Sequence, residues 1–144
     1  HANSNPARKT EGIEVYYAKT SSKRDLDEEQ RAKNEKTYVK KLNSSYSNVL
    51  EDIVADMMYV QKVSQSETLS KRIVNESSSE AGGVNRGARH CRFFVVRNTL
   101  IPAVLVEVGY LTNRHEEKKL SSLAYRQKIA EAIAHSIIKY ATDS

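Results

Sequence analysis

The sequence predicts an α/β fold, a sheet flanked by helices, from three observations. Residues 103–108, Ala-Val-Leu-Val-Glu-Val, are apolar almost without interruption, the pattern of a strand covered on both faces rather than of an open antiparallel sheet. Residues 12–18, Gly-Ile-Glu-Val-Tyr-Tyr-Ala, join β-branched and aromatic residues behind a glycine, which is strand composition. Near the end of the chain Ile129, Ile133, Ile137 and Tyr140 recur at helical spacing, which predicts a helix over 122–141 with one apolar face for the sheet.

The intervening elements follow in order. Residues 20–48 are dense in both signs of charge, acids first and lysines later, which complements a helix macrodipole at both ends. Their few apolar handles are Leu26, Tyr38, Val39 and Leu42, so this helix reads as an insertion resting on the body or lying free. A second helix is expected over 50–74, where Ile53, Met57, Val60, Leu69 and Ile73 keep the period, and the Met57–Met58 pair reads as core packing. Residues 75–89 are rich in Ser and Gly and read as a loop without a phosphate-cradling signature. Residues 92–97, Arg-Phe-Phe-Val-Val-Arg, read as a strand, joined to 103–108 by a short connection in which Pro102 holds Ile101 extended.

At 144 residues the chain is one domain or part of one. A net charge of +5 suits work near an anionic polymer, and the sign alone does not choose among nucleic acid, lipid headgroups and cell wall. No helix shows a basic stripe interleaved with aromatic residues, which sets a nucleic-acid partner aside. No run approaches the ~18 apolar residues of a membrane span, and the opening residues are unlike a signal peptide, so stable membrane insertion is not expected. A single cysteine, Cys91, excludes an internal disulfide framework; Arg89, His90 and Arg92 beside it would lower its thiol pKa if exposed, while a strand-edge residue with solvated neighbours is the plainer account.

Two residues stand out chemically. Glu107 is the lone carboxylate in the apolar run, and desolvation there would raise its pKa toward the range of a general acid or base; pairing with a basic residue is the plainer account. His1 heads a small polar segment that leads into a strand, a loop position at a sheet edge where ligands are often placed. His90, His115 and His135 lack that setting, and no histidine pair has the i, i+4 spacing of a helical zinc motif. Arg97 reads as a surface arginine or as a contact for a substrate carboxylate.

"HANS", then "GIEVYY", then "FFVVRNTLIPAVLVEVGYLTNRHEEKKLSS", then "YRQKIAEAIAHSIIKY" closely resemble the C-terminal two-thirds of the zinc-dependent N-acetylmuramoyl-L-alanine amidases, the amidase_3 family of the cell wall. The resemblance covers nearly the whole chain outside residues 20–50. It implies a three-layer αβα domain with a mixed central sheet, whose N-terminal part is absent here, and a Zn2+ ion for which His1 is the third ligand. The other two ligands have no counterpart in these residues. It implies that Glu107 is the catalytic acid/base, that Asn3 orients His1 or lines the groove, and that Asn113 caps the turn after the strand. The substrate implied is the amide between N-acetylmuramic acid and L-alanine of peptidoglycan, cleaved in wall remodelling and daughter-cell separation in the periplasm or cell envelope. For residues 20–50 it implies a regulatory insertion in which 25–42 cover the zinc cleft, one acid among Glu28, Glu29 and Glu35 occupying the open metal position until an activator, such as a LytM-type protein, displaces it. A monomer is expected. A non-catalytic module on the same fold, binding wall or a partner, is the alternative.

Overall fold

The computed structural model describes residues 1–20, 26–43, 45 and 47–143, and the side chains of these except 26–29. A mixed three-stranded sheet carries five helices: β1 (Ile13–Ala18), α1 (Leu26–Leu42), α2 (Asn48–Ala81), β2 (Asn85–Cys91), α3 (Phe94–Arg97), β3 (Val104–Glu107), α4 (Arg114–Ser121) and α5 (Leu123–Thr142). Strand order is β2-β1-β3, with β1 parallel to β2 and antiparallel to β3. This is the α/β architecture that the sequence predicts.

Side chains alternate along β1, and the alternation sorts the sheet into two faces. Ile13 and Val15 turn toward Leu69, Ile73 and Val74 of α2, with Val104 and Val106 of β3 and Ile133 and Tyr140 of α5 completing that core. A second cluster, Ala18, Tyr59, Val63 and Val96, closes the far end of the strands and takes in Ala103 and Leu105. β3 therefore meets apolar neighbours on both sides, as its composition requires.

Four local expectations are corrected. The second helix runs to Ala81, past the polar run 75–80, because Ser77 and Ser78 are buried by packing and the first residue able to stop the helix is Gly82, at φ 69°. The residues read as a loop then hold β2, Asn-Arg-Gly-Ala-Arg-His-Cys, which carries no strand signal of its own and is recruited by pairing with β1. Phe94–Arg97 form a helical turn instead of a strand. The last bond of the β1–β2 ladder is Lys19 N to Cys91 O, so beyond Cys91 the backbone has no partner strand and satisfies itself locally, with Phe93 O accepting from Val96 N and Arg97 N. Finally, Ile53, Met57 and Val60 face outward, Met57 being 67% exposed, while Glu51, Ala55, Tyr59, Lys62 and Val63 form the buried stripe. Leu69 and Ile73 face the core as the period predicts, whereas the N-terminal half of α2 turns a partly polar stripe toward α1 and the strand ends.

α1 rests on α2 through fully buried Val39 and through Arg31, whose guanidinium lies 3.6 Å from the Tyr59 ring centroid. Tyr38 and Leu42 stay exposed. α5 buries Ile129, Ala132 and Ser136 but leaves Ile137 outside, and it is tied to α2 by Ser136 Oγ donating to Glu76 and by Arg72 to Asp143.

Candidate functional site

Glu14 of β1 pairs in register with Glu107 of β3, so both carboxylates emerge on the sheet face away from the Ile13–Val15 core. The N-terminal segment lies parallel to the exit of β3: His1 N donates to Val106 O at 2.9 Å, Val108 N to His1 O at 3.0 Å, Asn3 N to Gly109 O at 2.8 Å and Leu111 N to Asn3 O at 2.8 Å. This backbone zipper brings the imidazole of residue 1 beside an acid more than a hundred positions away. His1 Nδ1 sits 3.9 Å from Glu107 Oε1, too far for a hydrogen bond and near enough for charge to be felt. The imidazole is open, its side chain 72% exposed, whereas Glu107 is 8% exposed.

Glu107 Oε2 is buried and has no hydrogen-bond partner. Such an oxygen costs on the order of 1–3 kcal/mol and calls for a functional reason. Burial pushes the Glu107 carboxyl up from its ordinary value, with the Glu14 charge adding to the rise. A pairing lysine or arginine, the plainer account of this acid, is not found at it among the described residues.

Glu14 is the opposite case, a buried carboxylate with more donors than it has lone pairs to spare. Only 2% exposed, it accepts on Oε1 from Tyr110 Oη at 2.7 Å, Asn3 Nδ2 at 2.8 Å and Tyr16 Oη at 2.9 Å, while Arg86 Nε and Arg89 Nε approach Oε2 at 3.4 and 3.5 Å. Burial works to raise its pKa, but the Tyr110 and Tyr16 hydrogen bonds and the two guanidinium charges outweigh it and hold the carboxyl below the usual range. The same contacts act on Tyr16, whose phenol is pushed up to about 12 by burial and by its bond to Glu14. Through Asn3 and Tyr110, Glu14 ties the His1 segment and the exit of β3 to one point. Glu116 adds a second clamp: Oε1 accepts from Gly12 N at 2.9 Å and Oε2 from Tyr110 N at 2.7 Å, joining the start of β1 to the turn after β3.

The other candidates are placed as follows. Asn113 caps α4, its Oδ1 accepting from His115 N and Glu116 N. Asn3 fixes the first segment to Glu14. His115 lies in the first turn of α4, His135 beside Glu80 at 3.7 Å, and His90 on β2 with its ring edge-on to Tyr17. Arg97 is 5% exposed, and its carbonyl accepts from Lys62 Nζ at 2.7 Å, which removes it as a surface arginine and as a meeting point for substrate. Burial pushes the Cys91 thiol up rather than down, so its basic neighbours do not activate it. Glu35 is buried on the inner face of α1, ion-paired to Arg31 one turn before it, with burial raising its pKa; the side chains of Glu28 and Glu29 lie outside the described residues. Sequence reasoning passed over Glu14 and Glu116, although Glu14 in "GIEVYY" carries the same signal as Glu107, one acid inside an apolar strand.

Among the described residues no group of three or more His, Cys, Asp or Glu is placed to hold a metal ion. The site presents one exposed imidazole beside one acid with a free oxygen, a fragment of the donor set that a zinc ion with about three protein ligands requires.

A mixed sheet with this helical cover is shared with solved wall-amidase chains, about half of whose length this chain spans. The structure matches the CwlD amidase of Clostridioides difficile, solved in complex with the GerS lipoprotein, at a TM-score of 0.67 and 23% identity over 100% of this chain and 53% of that one. It also matches the amidase AmiC2 of Nostoc punctiforme at a TM-score of 0.62 and 26% identity over 99% of this chain and 55% of that one. The chain belongs to the N-acetylmuramoyl-L-alanine amidase family, whose model matches residues 1–139. Among curated relatives it is similar to N-acetylmuramoyl-L-alanine amidase AmiA of Salmonella typhimurium strain LT2, 34% identical over 93 residues, and to AmiA of Escherichia coli strain K12, 32% identical over 93 residues. Those 93 residues are 65% of this chain and 32% of each relative.

Proposed function

We propose that the protein to which this chain belongs is a zinc-dependent peptidoglycan hydrolase that cleaves the amide between N-acetylmuramic acid and L-alanine of the stem peptide. Membership of the amidase family supports the reaction class. The observation that carries the reading is the unpartnered Oε2 of Glu107, set 3.9 Å on its other oxygen from an open imidazole. On this reading His1 is one of the zinc ligands, and the remaining ligands come from residues upstream of this segment. Zinc, when bound, polarises the scissile carbonyl and lowers the pKa of water toward ~7. Glu107 takes a proton from the attacking water on Oε1, the oxygen turned toward the imidazole, as the water oxygen adds to the carbonyl, and returns it to the leaving amine as the C–N bond breaks. Its raised pKa makes it a stronger base than an exposed glutamate, and the Val106–His1 zipper holds it in register with the imidazole.

On the family resemblance the role extends to wall remodelling and daughter-cell separation in the periplasm or cell envelope; similarity to the amidase AmiA supports the amidase part of this reading, and no helix among the described residues is long and apolar enough to cross a membrane. Residues 20–50 act as the regulatory insertion. Glu35 is engaged by Arg31, and α1 rests on α2 beside Tyr59 at the end of the strands away from His1 and Glu107, so an inhibitory contact by Glu28 or Glu29, released by a LytM-type activator, requires α1 to leave that seat. CwlD, which shares this fold, is solved in complex with a lipoprotein, a precedent for a protein partner.

The test uses the complete protein on purified cell wall. Hydrolysis should stop on chelation and return with zinc, and Glu107→Ala should lower it by about 10²–10⁴-fold with metal content unchanged. Retained hydrolysis in that variant overturns the role of Glu107. Deleting 22–48 should raise basal hydrolysis, and unchanged activity removes the inhibitory role of the insertion.

A further inference from the structure

β1 and β2 do not pair in even register. Ile13 lies opposite Asn85 and Val15 opposite Ala88, so three steps along β2 answer two along β1, an extra residue at Arg86–Gly87. Residues three apart in a regular strand point to opposite faces, which would part Arg86 from Arg89. One bulged residue between them reverses that parity and brings both to one face. Gly87 provides the backbone for it at φ 89°, a conformation that other residues rarely adopt. The outcome is visible in the contacts, since both Nε atoms reach the same oxygen, Glu14 Oε2.

Two guanidinium groups thus converge on one carboxylate and bring one positive charge more than Glu14 cancels. Their contacts with it, at 3.4 and 3.5 Å, are at or beyond the long end of hydrogen bonding. Arg89 also makes a 3.4 Å contact to Arg86 O, and its side chain is 52% exposed on the face that bears Glu107. Glu14 lies directly across from Glu107, and strands are ~4.8 Å apart, so the pair stands within about 10 Å of the acid. That distance is the reach of about three residues of extended peptide at ~3.4 Å each.

We propose that Arg86 and Arg89, aimed by the bulge and held by Glu14, form a subsite for a carboxylate on the peptide side of the scissile amide, within about three residues of the bond cleaved. The inference rests on the amidase reading of Glu107 and deepens it by naming what recognises the peptide. Guanidinium suits the task because its planar fork matches a carboxylate with two parallel donors.

Muramyl-peptide substrates with every peptide carboxylate either free or amidated decide the matter, given to the complete protein and to its Arg89→Ala and Arg89→Lys variants. The wild type should favour the free acid by about tenfold in kcat/KM, the worth of one charge-assisted hydrogen bond, with the difference in KM. Arg89→Ala should lose that preference, its KM for the acid rising about tenfold while the amidated substrate is turned over as before, and lysine should restore part of it. Equal use of acid and amide by the wild type overturns the subsite. So does an Arg89→Ala variant that loses rate on both substrates alike, the result expected if the arginine serves only to neutralise Glu14. Should the wild type hydrolyse neither substrate, the amidase reading falls. Calorimetric binding of the same two peptides to the wild type then judges the subsite alone, with tenfold preference for the acid supporting it and equal affinity overturning it.

Discussion

Replacing Glu14 by glutamine keeps the shape of the side chain and removes its charge, which isolates what the carboxylate contributes. Glutamine can direct its oxygen at Tyr110, Asn3 and Tyr16, but the three bonds become neutral, each falling from the ~1.5–3 kcal/mol of a charged hydrogen bond toward ~1. Its amide nitrogen then faces Arg86 and Arg89 without a counter-charge, a smaller cost of up to ~1 kcal/mol because both arginines are partly exposed to water. Relief of a buried charge offsets part of this, leaving a net loss of about 2–3 kcal/mol, enough to lower a urea midpoint by about 1–2 M. The pH dependence has a definite sign. The folded carboxyl is held below its ordinary value of 4.5, so the folded state binds fewer protons than the unfolded one in mild acid. Its contribution is complete above 4.5 and is lost as pH falls through the lower folded value. Urea unfolding of wild type and Glu14→Gln should differ fully at pH 7 and converge in acid. A difference below about 0.5 kcal/mol at pH 7, or one that does not shrink in acid, refutes the hub assigned to Glu14.

Two further outcomes follow from neighbouring geometry. Glu107→Gln should leave the protein as stable at pH 7 or raise its melting temperature by about 3 °C, since the folded pKa of Glu107 is raised and its stabilising protonation is lost as pH climbs through that value; a fall of similar size would make this acid structural. Gly12→Ala should cost about 3 kcal/mol in urea unfolding, because a Cβ would stand 2.4 Å from Val84 O at φ 113°, and the obstructing atom is backbone; a cost under about 1 kcal/mol contradicts the tight entry to β1.

Residues with strong intrinsic character were legible by themselves. The apolar runs of β1 and β3, the periodic face of α5, the charged helix α1 and the isolated acid Glu107 all follow from side-chain chemistry repeated at a fixed period, which acts locally and survives in one dimension. The resemblance carried by "HANS" and "LVEVGYLTN" pointed to the family through the same strong segments. What lay beyond the sequence was decided by partners. β2 exists because β1 offers it a ladder, and Phe94–Arg97 coil because that ladder has ended. The buried phase of the N-terminal half of α2 is chosen by α1 and the strand ends. His1 meets Glu107, and Arg86 meets Arg89 on Glu14, only through backbone register and a one-residue bulge. Register is a relation between strands, and a residue's own chemistry does not encode which neighbour it will face.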